Sequence, residues 1–270
     1  MNQGPGMDVS GFQDVDASPD PGGLIGFLDR SKSQPVLAAV QDRLIRELRL
    51  APGMQVLDVG CGPGTQALAV VQAVPEVSVA GVDASDVMID EAVRRAGPHP
   101  RVSFEVADAG ALPFSDASFD AVMAQTLLAH VHHPGAVLTE LRRVTRPAGR
   151  IAALDLDTAS TVIDHPDPET TQTIIERWAD QFAGGRTARS LHRLFRQAGL
   201  IDTTIEVHAA QFPAEFLRAL LTPATARMAR DRTVDAGVLD RWWAAFDERA
   251  AHGAFMTASM WFLAAGTVPG

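Results

Sequence analysis

Apolar residues recur along the chain in two alternating rhythms. Short runs at Gln55–Val59, Ser78–Val82, Val102–Val106, Phe119–Ala124 and Arg150–Leu154 are rich in Val, Leu, Ile, Ala and Phe, the pattern of strands buried on both faces. Between most of them the spacing changes to that of one helix face. One helix is expected from Thr65 to about Val74. A second opens with Ser85 as its cap and places Met88, Ile89, Ala92 and Val93 on one side; a third starts near Pro134 and buries Val137, Leu138, Leu141 and Val144. Strands alternating with helices predict βαβ units, and hence an α/β fold around a parallel sheet.

Upstream, Leu37, Val40, Leu44 and Leu48 share a helical face, with Ser33 and Pro35 as start signals, so an amphipathic helix precedes the first strand. Residues 1–23 repeat Gly, Pro and Asp and contain no basic residue; they offer too little apolar surface to offset chain entropy and read as a disordered tail. Past residue 160 come helical patterns near 170–183 and 188–198, a strand near Thr203–His208, two helices across 213–251 and an apolar strand at Met256–Leu263. No repeat or linker is evident. The expectation is one domain over 24–270: N-terminal helices forming a lid (24–50), a ligand-binding core (51–158), and substrate-side helices with the last strands (159–270), including a helical insertion before the final strand.

Composition narrows the chemistry. A net charge of −10 disfavours nucleic acid and anionic membrane surfaces, which select basic faces. No window is apolar enough to span a bilayer, and the N-terminus lacks a signal-like pattern. Cys61 is the only cysteine, which fits a reducing compartment. These features predict a soluble cytoplasmic protein, monomer or homodimer, acting on a small molecule. The chain has no tyrosine, and Lys32 is its only lysine. Proton transfer therefore falls to His, Asp or Glu, with Cys61 a remote option.

The loop after the first strand reads Asp58-Val59-Gly60-Cys61-Gly62-Pro63-Gly64-Thr65. A dinucleotide fingerprint would need its third glycine where Thr65 stands, and a phosphate-binding loop would need Gly-Lys-Ser/Thr; neither is present. Alternate glycines behind an acid suit a ligand with a zwitterionic amino-acid tail, because the glycines allow close approach, a helix N-terminus favours a carboxylate, and the acid accepts from an ammonium. That chemistry points to S-adenosylmethionine. Asp83, ending the second strand, is placed to accept ribose hydroxyls. Asp108, after the third strand, is placed to accept from an adenine amine. Taken singly, each has a plainer reading: a tight turn, a loop-ordering cap, a core methionine at Met88, a small filler at Cys61.

Together with Ser118-Phe119-Asp120-Ala121-Val122 and the stretch Leu141–Arg150, these residues resemble a class I S-adenosylmethionine-dependent methyltransferase of the small-molecule type, over about residues 30–156. The resemblance implies a Rossmann-like, doubly wound, seven-stranded sheet, mostly parallel with an antiparallel last strand. It implies that Gly60, Gly62 and Gly64 contact the methionine part, with Asp58 beside them. Asp83 and Ala84 would lie at the ribose, Met88 on one adenine face, Asp108 and Ala109 at the adenine edge, and Gln125 by its backbone at the ammonium end. The implied activity is methyl transfer to O, N or C of a small acceptor in bacterial biosynthetic or secondary metabolism. The alternative is a non-methylating cyclisation or isomerisation on the same fold. One departure is Pro147-Ala148-Gly149, where the family often has Pro-Gly-Gly.

Candidates for the chemistry are His130, His165 and Asp155. His130, His132 and His133 bunch before Pro134 without a nearby acid or cysteine, which suits a turn and helix start better than a metal site. In phosphoethanolamine-type methyltransferases, which this loop resembles, a histidine here works with a tyrosine, and this chain has none. Asp155 and Asp157 share a strand face and are candidates for a base or a substrate contact, against a solvated strand end. His165 lies in a turn-rich loop where a lid could close.

Overall fold

The computed structural model describes residues 11, 12 and 14–270. Seven strands form one sheet in the order β3-β2-β1-β4-β5-β7-β6: β1 (Gln55–Val59), β2 (Ser78–Asp83), β3 (Val102–Val106), β4 (Phe119–Gln125), β5 (Thr145–Ile163), β6 (Ile201–Ala210) and β7 (Thr257–Thr267). β1 to β5 pair in parallel, while β7 runs antiparallel between β5 and β6. The helices are α1 (Pro21–Lys32), α2 (Pro35–Glu47), α3 (Thr65–Ala73), α4 (Asp86–Ala96), α5 (Pro134–Val144), α6 (Pro168–Ala179), α7 (Leu191–Gln197), α8 (Ala214–Arg230) and α9 (Ala236–Ala251).

The central strands are apolar on both sides because both sides are covered. Val56 and Met123 face a cluster with Leu37 and Leu44 of α2 and Val70 of α3. Leu57 and Val122, their immediate neighbours in each strand, face the opposite cluster with Leu138 and Leu141 of α5 and Phe195 of α7. Alternation along each strand thus divides its side chains between two cores. A third cluster joins α6, α8 and α9 through Ile174, Leu221, Leu239 and Trp242; the helices inserted between β6 and β7 therefore have a core of their own.

Two elements differ from the sequence reading. β5 runs well beyond Arg150–Leu154, because Asp155 and Asp157 stay paired with Phe262 and Met260 of β7 before the register shifts; polar residues had masked the extension. The tail assigned to 1–23 is also too long. Residues 1–10 and 13 lie outside the described residues, but Val15 is buried with Leu24 and Met88. Asp16 accepts from Ser85 Oγ (2.5 Å) and from the Asp86 (3.0 Å) and Val87 (3.2 Å) amides. A count of apolar residues misses this anchor, which comes from capping the free amides that open α4.

No helix among the described residues is long and apolar enough to cross a membrane. Strand order reverses between β1 and β4, so the loops leaving these neighbouring strands diverge and open a crevice at their carboxyl ends.

Candidate active site

The loop after β1 is held from beneath by β2: the Gly60 and Cys61 amides donate to Val82 O at 2.8 and 2.9 Å. Gly60, Gly62 and Gly64 all have positive φ, at +70°, +51° and +76°. Their reasons differ. A Cβ on Gly60 would meet Leu127 at 3.0 Å and one on Gly64 would meet the Phe104 ring at 2.7 Å, whereas at Gly62 the nearest atom is Leu28 Cδ1 at 3.6 Å. Gly62 thus keeps open space, and Gly64 lets Phe104 of β3 pack beneath the start of α3.

Asp83 ties the next two turns together. Its Oδ2 accepts from the Gly62 amide (2.9 Å) and its Oδ1 from the Ser85 amide (3.1 Å), and burial raises its pKa. Asp58 lies deeper. It is 2% exposed, its Oδ2 has no hydrogen-bond partner within the protein, and burial, reinforced by the Asp83 charge and opposed by Lys32, pushes its pKa up to about 7. Asp108 turns its own loop through the Gly110 amide (2.8 Å). Burial pushes the Cys61 thiol far up, so Cys61 is no nucleophile.

At the end of β4, Thr126 adopts a left-handed conformation and its amide donates to Leu154 O (2.7 Å). The chain then turns so that the Leu128 and Ala129 amides both donate to Asp155, each at 3.2 Å. Burial pushes Asp155 up to about 7 against the pull of these two amides. It props the loop that presents His130. The His130 ring lies edge-on to Phe12 and Phe182, with centroids 5.9 and 5.6 Å away; its Nδ1 is shut from solvent without a partner, and burial holds its pKa down to about 4.

These elements surround one cavity of about 450 Å3. Of the ten residues expected to hold the donor, Asp58, Gly60, Gly62, Asp83, Ala84, Met88, Asp108, Ala109 and Gln125 line it. Gly64 does not; it is spent on packing against Phe104. Among the chemical candidates only His130 lines the cavity. His165 stacks on Trp242 (4.8 Å) with Nε2 at Trp242 O (3.0 Å) while Nδ1 accepts from the Asp167 amide (3.1 Å), so both ring nitrogens are committed to structure. Asp155 is likewise consumed by the backbone, and Asp157 is paired with Arg189 (2.7 Å). His132 and His133 are exposed, and no group of three or more His, Cys, Asp or Glu among the described residues is placed to hold a metal.

Sequence reasoning expected a lid from the N-terminal helices over 24–50 but missed that Phe12 and Val15, in the segment read as a tail, join it. Phe12, Val15 and Phe27 line the cavity, and Lys32 reaches the glycine loop, donating to Thr65 O (3.2 Å) and Gln66 Oε1 (3.0 Å). Its being the only lysine was the available signal. Another feature has no sequence signature. Every buried side-chain polar atom without a partner among the described residues, on Ser31, Gln41, Asp58, Gln66, Gln125, His130, Trp178 and Trp261, belongs to a residue lining this cavity. Unpaired buried polar groups are costly; their confinement to one place marks a built ligand site.

A methyltransferase domain family matches residues 56–149. The 27-O-demethylrifamycin SV methyltransferase of Amycolatopsis mediterranei (strain S699) is 34% identical over 69% of this chain and 66% of its own length. The O-methyltransferase resE of Aspergillus sclerotiorum is 30% identical over 65% of this chain and 67% of its own. The chain belongs to the S-adenosylmethionine-dependent methyltransferases. It spans about two thirds of the length of these two curated relatives. In fold, it is similar to phosphoethanolamine N-methyltransferase 2 of Haemonchus contortus, at a TM-score of 0.63 and 18% identity over 96% of this chain and 60% of that one.

The methyltransferase cavity fits its methyl donor on the protein's own terms. Asp58 Oδ2 is an unpartnered acceptor suited to an ammonium, the open side of Gly62 admits close approach, and Lys32 adds positive charge beside the α3 N-terminus, suited to a carboxylate.

Proposed function

We propose that this methyltransferase transfers the methyl group to a hydroxyl oxygen of an organic natural product, in a cavity with a donor end and an acceptor end. The observation that carries the reading is the distribution of ionisable groups along one cavity: Lys32, Asp58, Asp83 and Asp108 line the donor end, and the acceptor end offers only His130, neutral above a pH of about 4. Of the two curated relatives, one is named as an O-methyltransferase and the other as a methyltransferase of 27-O-demethylrifamycin SV, and both names support oxygen as the acceptor atom.

When bound, S-adenosylmethionine supplies a methyl carbon activated by a positively charged sulfur. The residues of this chain do the rest. Asp58, once ionised, receives the ammonium; Lys32 and the first amides of α3 receive the carboxylate; Asp83, whose oxygens already order Gly62 and Ser85, receives the ribose hydroxyls; Met88 and Ala109 flank the base. By holding these groups, the residues would fix the donor in the cavity, and alignment is the largest lever available to a displacement of this kind. Phe12, Phe182 and their neighbours exclude water. His130 Nδ1 is free to accept a hydroxyl proton. With a pKa near 4 it is a weak base, and takes that proton only from an oxygen whose acidity has risen, as a hydroxyl's does on alkylation.

The test is incubation with S-adenosylmethionine and a panel of hydroxylated aromatic and macrocyclic compounds, read by mass spectrometry. One added methyl group per S-adenosylhomocysteine released is the expected result. Conversion of an acceptor with no S-adenosylhomocysteine released would instead favour the cyclisation or isomerisation alternative.

A further inference from the structure

The acceptor end has a polarity pattern that narrows its ligand. The four tryptophans divide cleanly. Trp242 is a core residue and Trp243 packs, partly buried, against the same cluster; their indole N–H groups donate to Thr171 Oγ1 (2.8 Å) and Thr225 Oγ1 (3.1 Å). Trp178 and Trp261 are equally core-like, 3% and 7% exposed, yet both line the cavity and neither Nε1 has a partner. A buried indole N–H usually finds an acceptor. In the first pair the protein provides one; in the second no acceptor among the described residues does, and both residues border the cavity.

The rest of the wall sets the character of that occupant. Phe12, Phe27, Phe182, Phe216, Leu217 and Leu220 supply aromatic and aliphatic surface. Beside His130 Nδ1, Gln41 adds an unpartnered buried Oε1, an acceptor for a hydroxyl. No arginine lines any part of the cavity, and its one lysine, Lys32, is engaged at the glycine loop. A carboxylate or phosphate here would lose its hydration without gaining a cation, a heavy penalty.

We propose that the acceptor end of the cavity takes an uncharged, largely aromatic or otherwise apolar ligand carrying two oxygen acceptors, one for the indole N–H of Trp178 and one for that of Trp261. The proposal rests on the assignment of the opposite end to the methyl donor. It names the two tryptophans as specificity-determining residues: they reject a ligand that lacks oxygens at those positions, because each N–H would then stay buried and unpaired.

The experiment measures binding of two neutral probes, naringenin and umbelliferone, and of the carboxylated derivative of umbelliferone, to the full chain saturated with S-adenosylhomocysteine. Wild type is compared with Trp178→Phe, Trp261→Phe and Trp243→Phe. The expected result is binding of at least one neutral probe, rejection of the carboxylate by tenfold or more, and a weakening of about threefold to tenfold in each of Trp178→Phe and Trp261→Phe, the size of one uncharged hydrogen bond. Trp243→Phe is expected to leave probe affinity unchanged. Affinity for S-adenosylhomocysteine, measured alongside, reports folding and the donor end separately. If that affinity is retained while the carboxylate binds as well as the neutral probes, neither neutral probe binds, or the two variants match wild type, the proposal is overturned. If S-adenosylhomocysteine does not bind wild type, the assignment of the donor end fails first.

Discussion

The two ends of the cavity are made in different ways. The donor end is built from loops that leave consecutive strands, and its working groups are backbone amides, glycines and one acid per loop: Asp58, Asp83 and Asp108. The acceptor end is built from side chains that converge from α1, α2, α6, α8, β7 and the loop after β4, its aromatic residues scattered from Phe12 to Trp261. Backbone recognition at fixed loop positions constrains residue types at fixed spacing. Side-chain walls constrain only size and polarity, so one scaffold keeps its donor and varies its acceptor.

The sharpest way to break this contrast is to remove a donor-end acid. Asp83→Ala takes away the acceptor proposed for the ribose hydroxyls and also frees the Gly62 and Ser85 amides. It is expected to weaken S-adenosylhomocysteine binding by about a hundredfold, roughly 3 kcal/mol, by calorimetry. Next in size is a division within the glycine loop. Gly64→Ala pushes a Cβ against Phe104 (2.7 Å) and is expected to cost about 2 kcal/mol of stability in denaturant melts. Gly62→Ala, with nothing nearer than 3.6 Å, should lose about 1 kcal/mol to its left-handed conformation and show its main loss in ligand affinity.

At the acceptor end, His130→Gln should slow turnover of a hydroxyl acceptor by about twentyfold and leave S-adenosylhomocysteine affinity within twofold. Equal losses in both would place His130 at the donor end. The smallest effect is a pH dependence. Ligand ammonium favours ionised Asp58, whose pKa is about 7, so affinity should fall about tenfold from about pH 8 to about pH 6, and Asp58→Asn should flatten the profile. The sign for folding is opposite. A carboxyl with a raised native pKa holds its proton longer in the folded chain, so its contribution to stability is greatest below the unfolded value of 3.8 and is lost as pH rises through about 7.

The same contrast explains what was legible in the sequence. β1, β3, the Ser85 cap and the three acids that line the cavity could be read directly, because hydrophobic periodicity and loop chemistry are local. Gly64 was read as a ligand contact because the motif treats its three glycines alike, whereas their roles depend on what lies behind each one, and Phe104 is forty residues away. His165 and Asp155 are suggested by residue type together with position, one in a turn-rich loop and the other at a strand end. Only the fold discloses that Trp242 O and two loop amides consume them. The anchoring of Asp16 on α4, and the pairing of satisfied and unsatisfied tryptophans, depend on long-range contacts and left no local trace.

The most direct test of the two-ended cavity is amide hydrogen exchange of the full chain with and without S-adenosylhomocysteine. Protection confined to the Gly60–Thr65 loop, the turn from Asp83 to Met88, the Ala107–Gly110 turn and the Gln125–His130 loop, with added protection of the N-terminal segment over the site, is the predicted result. Binding that protects a different face, or no binding at all, would contradict the assignment of this cavity to the methyl donor.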